Sequence, residues 1–205
     1  MRPIIAFAAV LALSGCISLL PKAGPPPRVF VLEGAQVERA QGAQLPVVVA
    51  VAPPDGERML LGSDLVWRTG DQVALVAQTQ WSARAQDSLQ RLVVQTIARQ
   101  GRVAAAVRAG EARADYEVRW ELTSFEVDEA SMQARFAATV HIVEALSRRV
   151  VASEEIEAQA PVASRSSSVA AEALTRAARE GGARIGLFAA DAIASAQASA
   201  ASISR

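Results

Sequence analysis

Tyr116-Glu117-Val118-Arg119-Trp120-Glu121-Leu122 sets large apolar residues against charges with a period of two. Successive side chains of a strand point to opposite faces, so this stretch predicts a strand with one dry face and one wet face. An antiparallel sheet covered on one side produces such alternation. The phase then slips, because Phe125 and Val127 are the next apolar residues. A bulge or bend near Thr123-Ser124 accounts for that slip.

Downstream, Asp128-Glu129-Ala130-Ser131 reads as a turn, and Phe136, Ala138, Val140 and Ile142 alternate on the next strand. Arg148-Arg149 marks another turn before a strand from Val150 to Glu157. Pro161 to Ser167 is a loop, and Ser166-Ser167-Ser168 supplies N-cap residues for a helix. That helix sets Leu174, Ala177, Gly181, Ile185, Phe188 and Ala192 on one face. Gly181-Gly182 weakens it by about 1 kcal/mol each relative to Ala, unless small residues there let another backbone come close. The Ala/Ser-rich tail after Ala194 is expected to fray.

Upstream, Arg28-Val29-Phe30-Val31-Leu32 and Leu45-Pro46-Val47-Val48-Val49-Ala50-Val51 are strand candidates, with Pro46 at a strand start where a missing N–H is tolerated. Pro53-Pro54-Asp55-Gly56 reads as a turn. Asp64 to Arg68 and Val73 to Val76 form a hairpin joined by Thr69-Gly70-Asp71-Gln72. From Ala83 to Gln100 the residues Leu89, Leu92, Val93, Thr96 and Ile97 recur at three and four, an amphipathic helix that Gly101 ends. Val103 to Val107 is a further strand candidate. The expected fold is α+β: a single domain, mostly antiparallel sheet packed against two main helices.

The chain begins Met1-Arg2-Pro3 and continues with a short apolar run from Ile4 to Leu13. A membrane span needs about 20 apolar residues, so this run reads as a signal peptide. It ends in Leu13-Ser14-Gly15-Cys16, which resembles the lipobox of bacterial lipoproteins. The resemblance implies cleavage by a signal peptidase that recognises Leu13, Ser14 and Gly15. It also implies a diacylglycerol thioether on Cys16 and an acylated new amino terminus. Cys16 is the single Cys of 205 residues, so no internal disulfide can form and the core alone must hold the domain. Each buried CH₂ of an acyl chain adds roughly 0.8 kcal/mol, so two or three chains make release negligible. Pro21, Gly24 and Pro25-Pro26-Pro27 make the next segment a tether, which at about 3.1 Å per residue could span roughly 30 Å. The expected divisions are therefore a signal peptide over 1–15, a lipidated tether over 16–27, the domain over 28–194 and a flexible tail over 195–205.

Lys and Arg total 21, as do Asp and Glu, so the net charge is zero and no basic stripe stands out. This argues against nucleic acid as a partner. The one histidine, His141, lies out of phase with Phe136, Val140 and Ile142 and is expected to face solvent. No second His or thiol is present to share a metal with it, and no metal site is expected. There is no Gly-x-Ser-x-Gly elbow and no phosphate-binding loop ending in Lys. Gly181-Gly182-Ala183-Arg184-Ile185-Gly186 falls inside a helical pattern, the wrong context for a dinucleotide fingerprint. Asp115, Glu117 and Glu121 read as solvated strand residues. No catalytic residue is assigned, and no cofactor is expected beyond the covalent lipid. Trp67, Trp81, Trp120 and Tyr116 either pack the core or line a partner surface, and Trp67, Trp81 and Tyr116 are the candidates for the surface.

Several segments in order resemble the ABC-type transport auxiliary lipoproteins, the PqiC/YmbA-like family. They are Val29-Phe30-Val31-Leu32, then Val47-Val48-Val49-Ala50-Val51-Ala52-Pro53, then Leu60 to Arg68 followed by Val73 to Trp81. The last is Asp115-Tyr116-Glu117-Val118 with Leu122 and Phe125. The hairpin is poorer in Tyr than the family pattern. The resemblance implies a non-catalytic accessory lipoprotein, tied to a membrane by its lipid and facing the periplasm. Its partners would be a mammalian-cell-entry (MCE) domain protein and the permease and ATPase of an ABC transporter that moves phospholipid or another hydrophobic compound. Ile17 after the lipidated Cys favours the outer membrane over the inner. A lipid-carrying periplasmic domain, a scaffold lipoprotein of another envelope machine and homo-oligomerisation all remain open to the sequence.

Overall fold

The computed structural model describes residues 26–34 and 37–203. The signal peptide, Cys16 and nearly all of the tether lie outside the described residues. Among the described residues, nine strands, two main helices and one short helix form an α+β domain. In chain order they are β1 (Arg28–Phe30), β2 (Leu45–Val51), β3 (Asp55–Gly56), α1 (Arg58–Leu61), β4 (Asp64–Thr69) and β5 (Gln72–Trp81). Then come α2 (Ala85–Gln100), β6 (Val103–Arg108), β7 (Tyr116–Asp128), β8 (Gln133–Glu144), β9 (Val150–Pro161) and α3 (Ser167–Ile203).

β7 is the spine. On one side β8 pairs with its whole length, antiparallel, and β9 pairs with β8. On the other side three separate strands share it, all parallel. Val49–Val51 lies beside Tyr116–Val118, Asp55–Gly56 beside Glu121–Leu122, and Trp67–Arg68 beside Val127–Asp128. The sheet therefore forks. β6 adds to β2 at one end of β7, and β5 then β1 add to β4 at the other. The long ladders are antiparallel, as alternation in the sequence predicts. The parallel pairings are short, and a period of two does not distinguish them from antiparallel ones.

The register of β7 against β8 shifts between Leu122 and Ser124, where the phase slips in sequence. The shift lets Tyr116, Val118, Trp120, Leu122, Phe125 and Val127 all bury. α3 covers the inner face of β8 and β9, while α2 packs on α3, β6 and β2. Gly101 takes φ 69° at the end of α2, a left-handed cap that glycine adopts without penalty.

Several boundaries differ from expectation. β5 runs on to Trp81, the turn at Pro53–Gly56 contains the two residues of β3, and β9 reaches Pro161. α3 does not end near Ala194 but continues to Ile203, because alanine is the best helix former and Ala and Ser there break no backbone bond. Gly181 and Gly182 serve close approach, to side chains rather than to backbone. A Cβ on Gly181 would lie 2.2 Å from Cδ1 of Phe136, and one on Gly182 would lie 2.5 Å from Cδ2 of Leu92. Helix propensity alone says that Gly181→Ala stabilises by about 1 kcal/mol. Overpacking against the buried Phe136 ring reverses the sign, and a net loss of about 1–3 kcal/mol is expected in denaturant unfolding.

Candidate interaction surface

β1 is the first described element after the tether. It lies at a sheet edge and pairs only with β5, Arg28 beside Thr79 and Phe30 beside Trp81. Leu32 turns inward to the core and Phe30 packs against it. Val29 and Val31 point the other way and are 58% and 56% exposed. The Nε of Arg179 on α3 donates to the Glu33 carbonyl at 2.9 Å, and the Ser82 amide donates to the Phe30 carbonyl at 2.7 Å. The segment following the tether is thus held at the C-terminal end of β1 and just beyond it. The valine alternation is visible in sequence, but which face it presents is set by where β1 docks.

The three aromatic candidates do not form one surface. Trp81 is buried and stacks on Phe125, with ring centroids 5.8 Å apart. Tyr116 is buried as well, and Trp67 is half-buried against the core. Trp120, also buried, donates its indole N–H to the Ala52 carbonyl at 2.9 Å and tilts against Phe136. The partner surface expected at Trp81 and Tyr116 is therefore corrected to core. Both side chains belong to the hydrophobic core cluster.

The exposed apolar side chains lie elsewhere. Met59 and Leu75 flank an open groove of about 740 Å³ whose charged walls are Glu57, Arg58, Asp64 and Arg84. Leu146 stands at the tip of the β8–β9 hairpin, and Val150 is exposed close by at the start of β9. Leu146 sits in a turn and Met59 in a short helix, so no periodic signal marks either of them.

Several polar groups are engaged in holding the structure together. Arg68 grips the buried carboxylate of Glu126 with Nε at 2.6 Å and Nη2 at 3.1 Å, which raises the guanidinium pKa further. Hydrogen bonds from Ser131 hold the Asp128 carboxyl below the usual carboxylate range. Asp115 accepts from the Val48 amide at 2.8 Å and pins β2 at the start of β7. His141 is part-exposed, as expected, and its Nδ1 lies 2.8 Å from the Ser153 hydroxyl across the β8–β9 ladder. Among the described residues no cluster of His, Cys, Asp and Glu is arranged to hold a metal, and no helix is long and apolar enough to cross a membrane.

The sequence model for the ABC-type transport auxiliary lipoprotein component matches residues 30–186. Protein XCC0632 from Xanthomonas campestris, of the DUF330 family, is 21% identical and superposes with a TM-score of 0.76. That alignment covers 83% of this chain and 99% of the other. A second solved structure, of an uncharacterized protein, is 10% identical with a TM-score of 0.64, over 80% of this chain and 99% of its own. These likenesses show the fold. No curated protein matches the sequence.

Two outcomes test the polar assignments. Burial first, and then the Glu144 carboxylate, raise the Tyr116 phenol above its ordinary 10.0. A raised folded pKa gives stability that is complete below the unfolded value and lost as pH rises through the folded one. Tyr116 is the single tyrosine, so phenolate absorbance reads it alone; its midpoint should exceed 10 in the native protein and fall on unfolding. Arg68→Ala leaves Glu126 buried without its cation and should cost about 1–3 kcal/mol in urea unfolding, the exposed side of Arg68 tempering the loss.

Proposed function

We propose that this chain, which belongs to the ABC-type transport auxiliary lipoprotein family, is a non-catalytic tether that holds a periplasmic transport assembly to a membrane. The observation that carries the reading is the family match over residues 30–186, from the end of β1 to about the middle of α3. Two features support it. The lipobox Leu13-Ser14-Gly15-Cys16 supplies the anchor, and the Pro-rich arm leads into β1 at an edge of the sheet. Cys16 carries the lipid and is the residue that does chemistry. The rest of the chain works by contact.

The assembly proposed is an MCE-domain protein with the permease and ATPase of an ABC transporter, moving phospholipid or another hydrophobic compound across the envelope of a Gram-negative cell. The ordered family segments support this. Ile17 after the lipidated Cys supports the outer membrane as the site of attachment.

Cys16→Ala should abolish lipidation and release the protein into the soluble periplasmic fraction; firm retention with membranes would overturn the anchor. Affinity capture of the wild-type lipoprotein from detergent-solubilised membranes should recover MCE and ABC components. Their consistent absence would remove the transport partners from the reading while leaving the anchor in place.

A further inference from the structure

Among the described residues, β9 is a twelve-residue edge strand paired only with β8. In an antiparallel ladder alternate residues turn their N–H and C=O toward the partner strand and the rest turn theirs outward. The Val162 amide donates to the Met132 carbonyl, which puts the even-numbered residues of this ladder on the β8 side. Ser153, Glu155, Glu157, Gln159 and Pro161 therefore present backbone groups to the open edge. α3 guards the far half of that edge. Arg184 donates to the Glu157 carbonyl at 2.6 Å and Arg176 to the Pro161 carbonyl at 3.0 Å. No described hydrogen bond reaches the outward groups of Ser153 and Glu155.

Burial breaks at the same place. On the helix side of β9, Ile156, Ala158 and Ala160 are buried, while Glu154 is exposed and Ala152 only half-buried. Alongside, β9 and the C-terminal half of α3 leave an open groove of about 650 Å³ whose apolar walls include Val151, Ala152, Phe188, Ala192 and Ala196. Glu155 and Glu157 lie exposed on the opposite, polar face, and none of the described salt bridges engages them.

We propose that the unguarded half of the β9 edge is a docking site for an extended segment of a protein partner in which apolar and basic side chains alternate. Strand addition at Ser153 and Glu155 satisfies the open backbone groups. The period of two then sends alternate side chains into the groove beside Phe188 and the others out beside Glu155 and Glu157. Basic residues complement that row. A second β9 laid against the first would set carboxylates against carboxylates, which opposes pairing between copies. The site is independent of where the chain is anchored.

The test uses the full mature chain made without its lipid through Cys16→Ala, and a short peptide of alternating valine and lysine as the probe. Amide exchange at Ser153 and Glu155 should slow by roughly tenfold or more on adding the peptide. A peptide of the same composition with its valines in one block should leave those amides unchanged. Ser153→Pro keeps every charge but removes one outward N–H, a change that an edge strand tolerates, and should abolish the protection. Glu155→Lys with Glu157→Lys is a surface change that leaves the fold intact, and it should weaken peptide binding about tenfold. The proposal is overturned if the peptide does not bind, or binds with no slowing at these two amides. Protection that appears without peptide as protein concentration rises would also overturn it, because the occupant would then be a second copy.

Discussion

The pairing of β7 along both edges is the constraint on which the rest of the domain depends. Its outer edge is a single long ladder with β8, and its inner edge is divided among β2, β3 and β4. Three stretches separated in sequence by turns and α1 must therefore reach the same strand in matching register. A one-residue slip of β7 would turn Val118, Trp120 and Leu122 to the wet face, so burial itself fixes the register. The shift at Leu122–Ser124 belongs to this arrangement. It allows Trp120 and Phe125 to share one core, although their spacing in a regular strand would put them on opposite faces.

The helices close that core with a fit set by few atoms. α3 lies close enough to the sheet for the Phe136 ring to occupy the space of a missing Cβ at Gly181, and close enough to α2 for Leu92 to do the same at Gly182. One turn on, Gly186 admits the amide of Gln100, which donates to the Ala183 carbonyl at 2.8 Å. Buried Gln90 likewise donates to the Val51 carbonyl at 2.9 Å and ties α2 to β2. These amides fix the angle and height of α2 against its neighbours, in a domain that has no disulfide to do so. Hydrogen bonds formed away from water are costly to leave unmade, so they select one packing among several that apolar contact alone would allow.

Much of this was legible in the residues, for reasons that can be named. β7 and β8 announce themselves because each has one dry face, and the phase slip at Thr123 is visible as a change of parity. α2 shows a stripe and a Gly cap. The fork was not legible, since Val47 to Val51 pairs in parallel with two different strands and nothing in an apolar run says with which. The roles of Trp81 and Tyr116 were not legible either, because an aromatic side chain suits a core and an interface for the same physical reason. The end of α3 was misplaced because Ala and Ser carry weak signals about termination. Of the candidate interaction features, the lipobox residues lie outside the described structure. The exposed Val29, Val31, Met59, Leu75 and Leu146 emerge only once neighbouring elements are in place.

The attachment of β1 has a mechanical consequence. Whatever draws on Pro26 acts on the domain through three residue pairs, Arg28 with Thr79, Val29 with Gln80 and Phe30 with Trp81, backed by Leu32 in the core and by Arg179 at Glu33. Pulling along the axis of β1 loads the three pairs together, in shear. Pulling across the sheet opens them one after another, as a zipper opens. The domain should therefore resist tension far better in one direction than in the other, and resistance to such a load is a matter of unfolding rate rather than of equilibrium stability. The heading of the arm as it meets the sheet then matters as much as the number of bonds it meets.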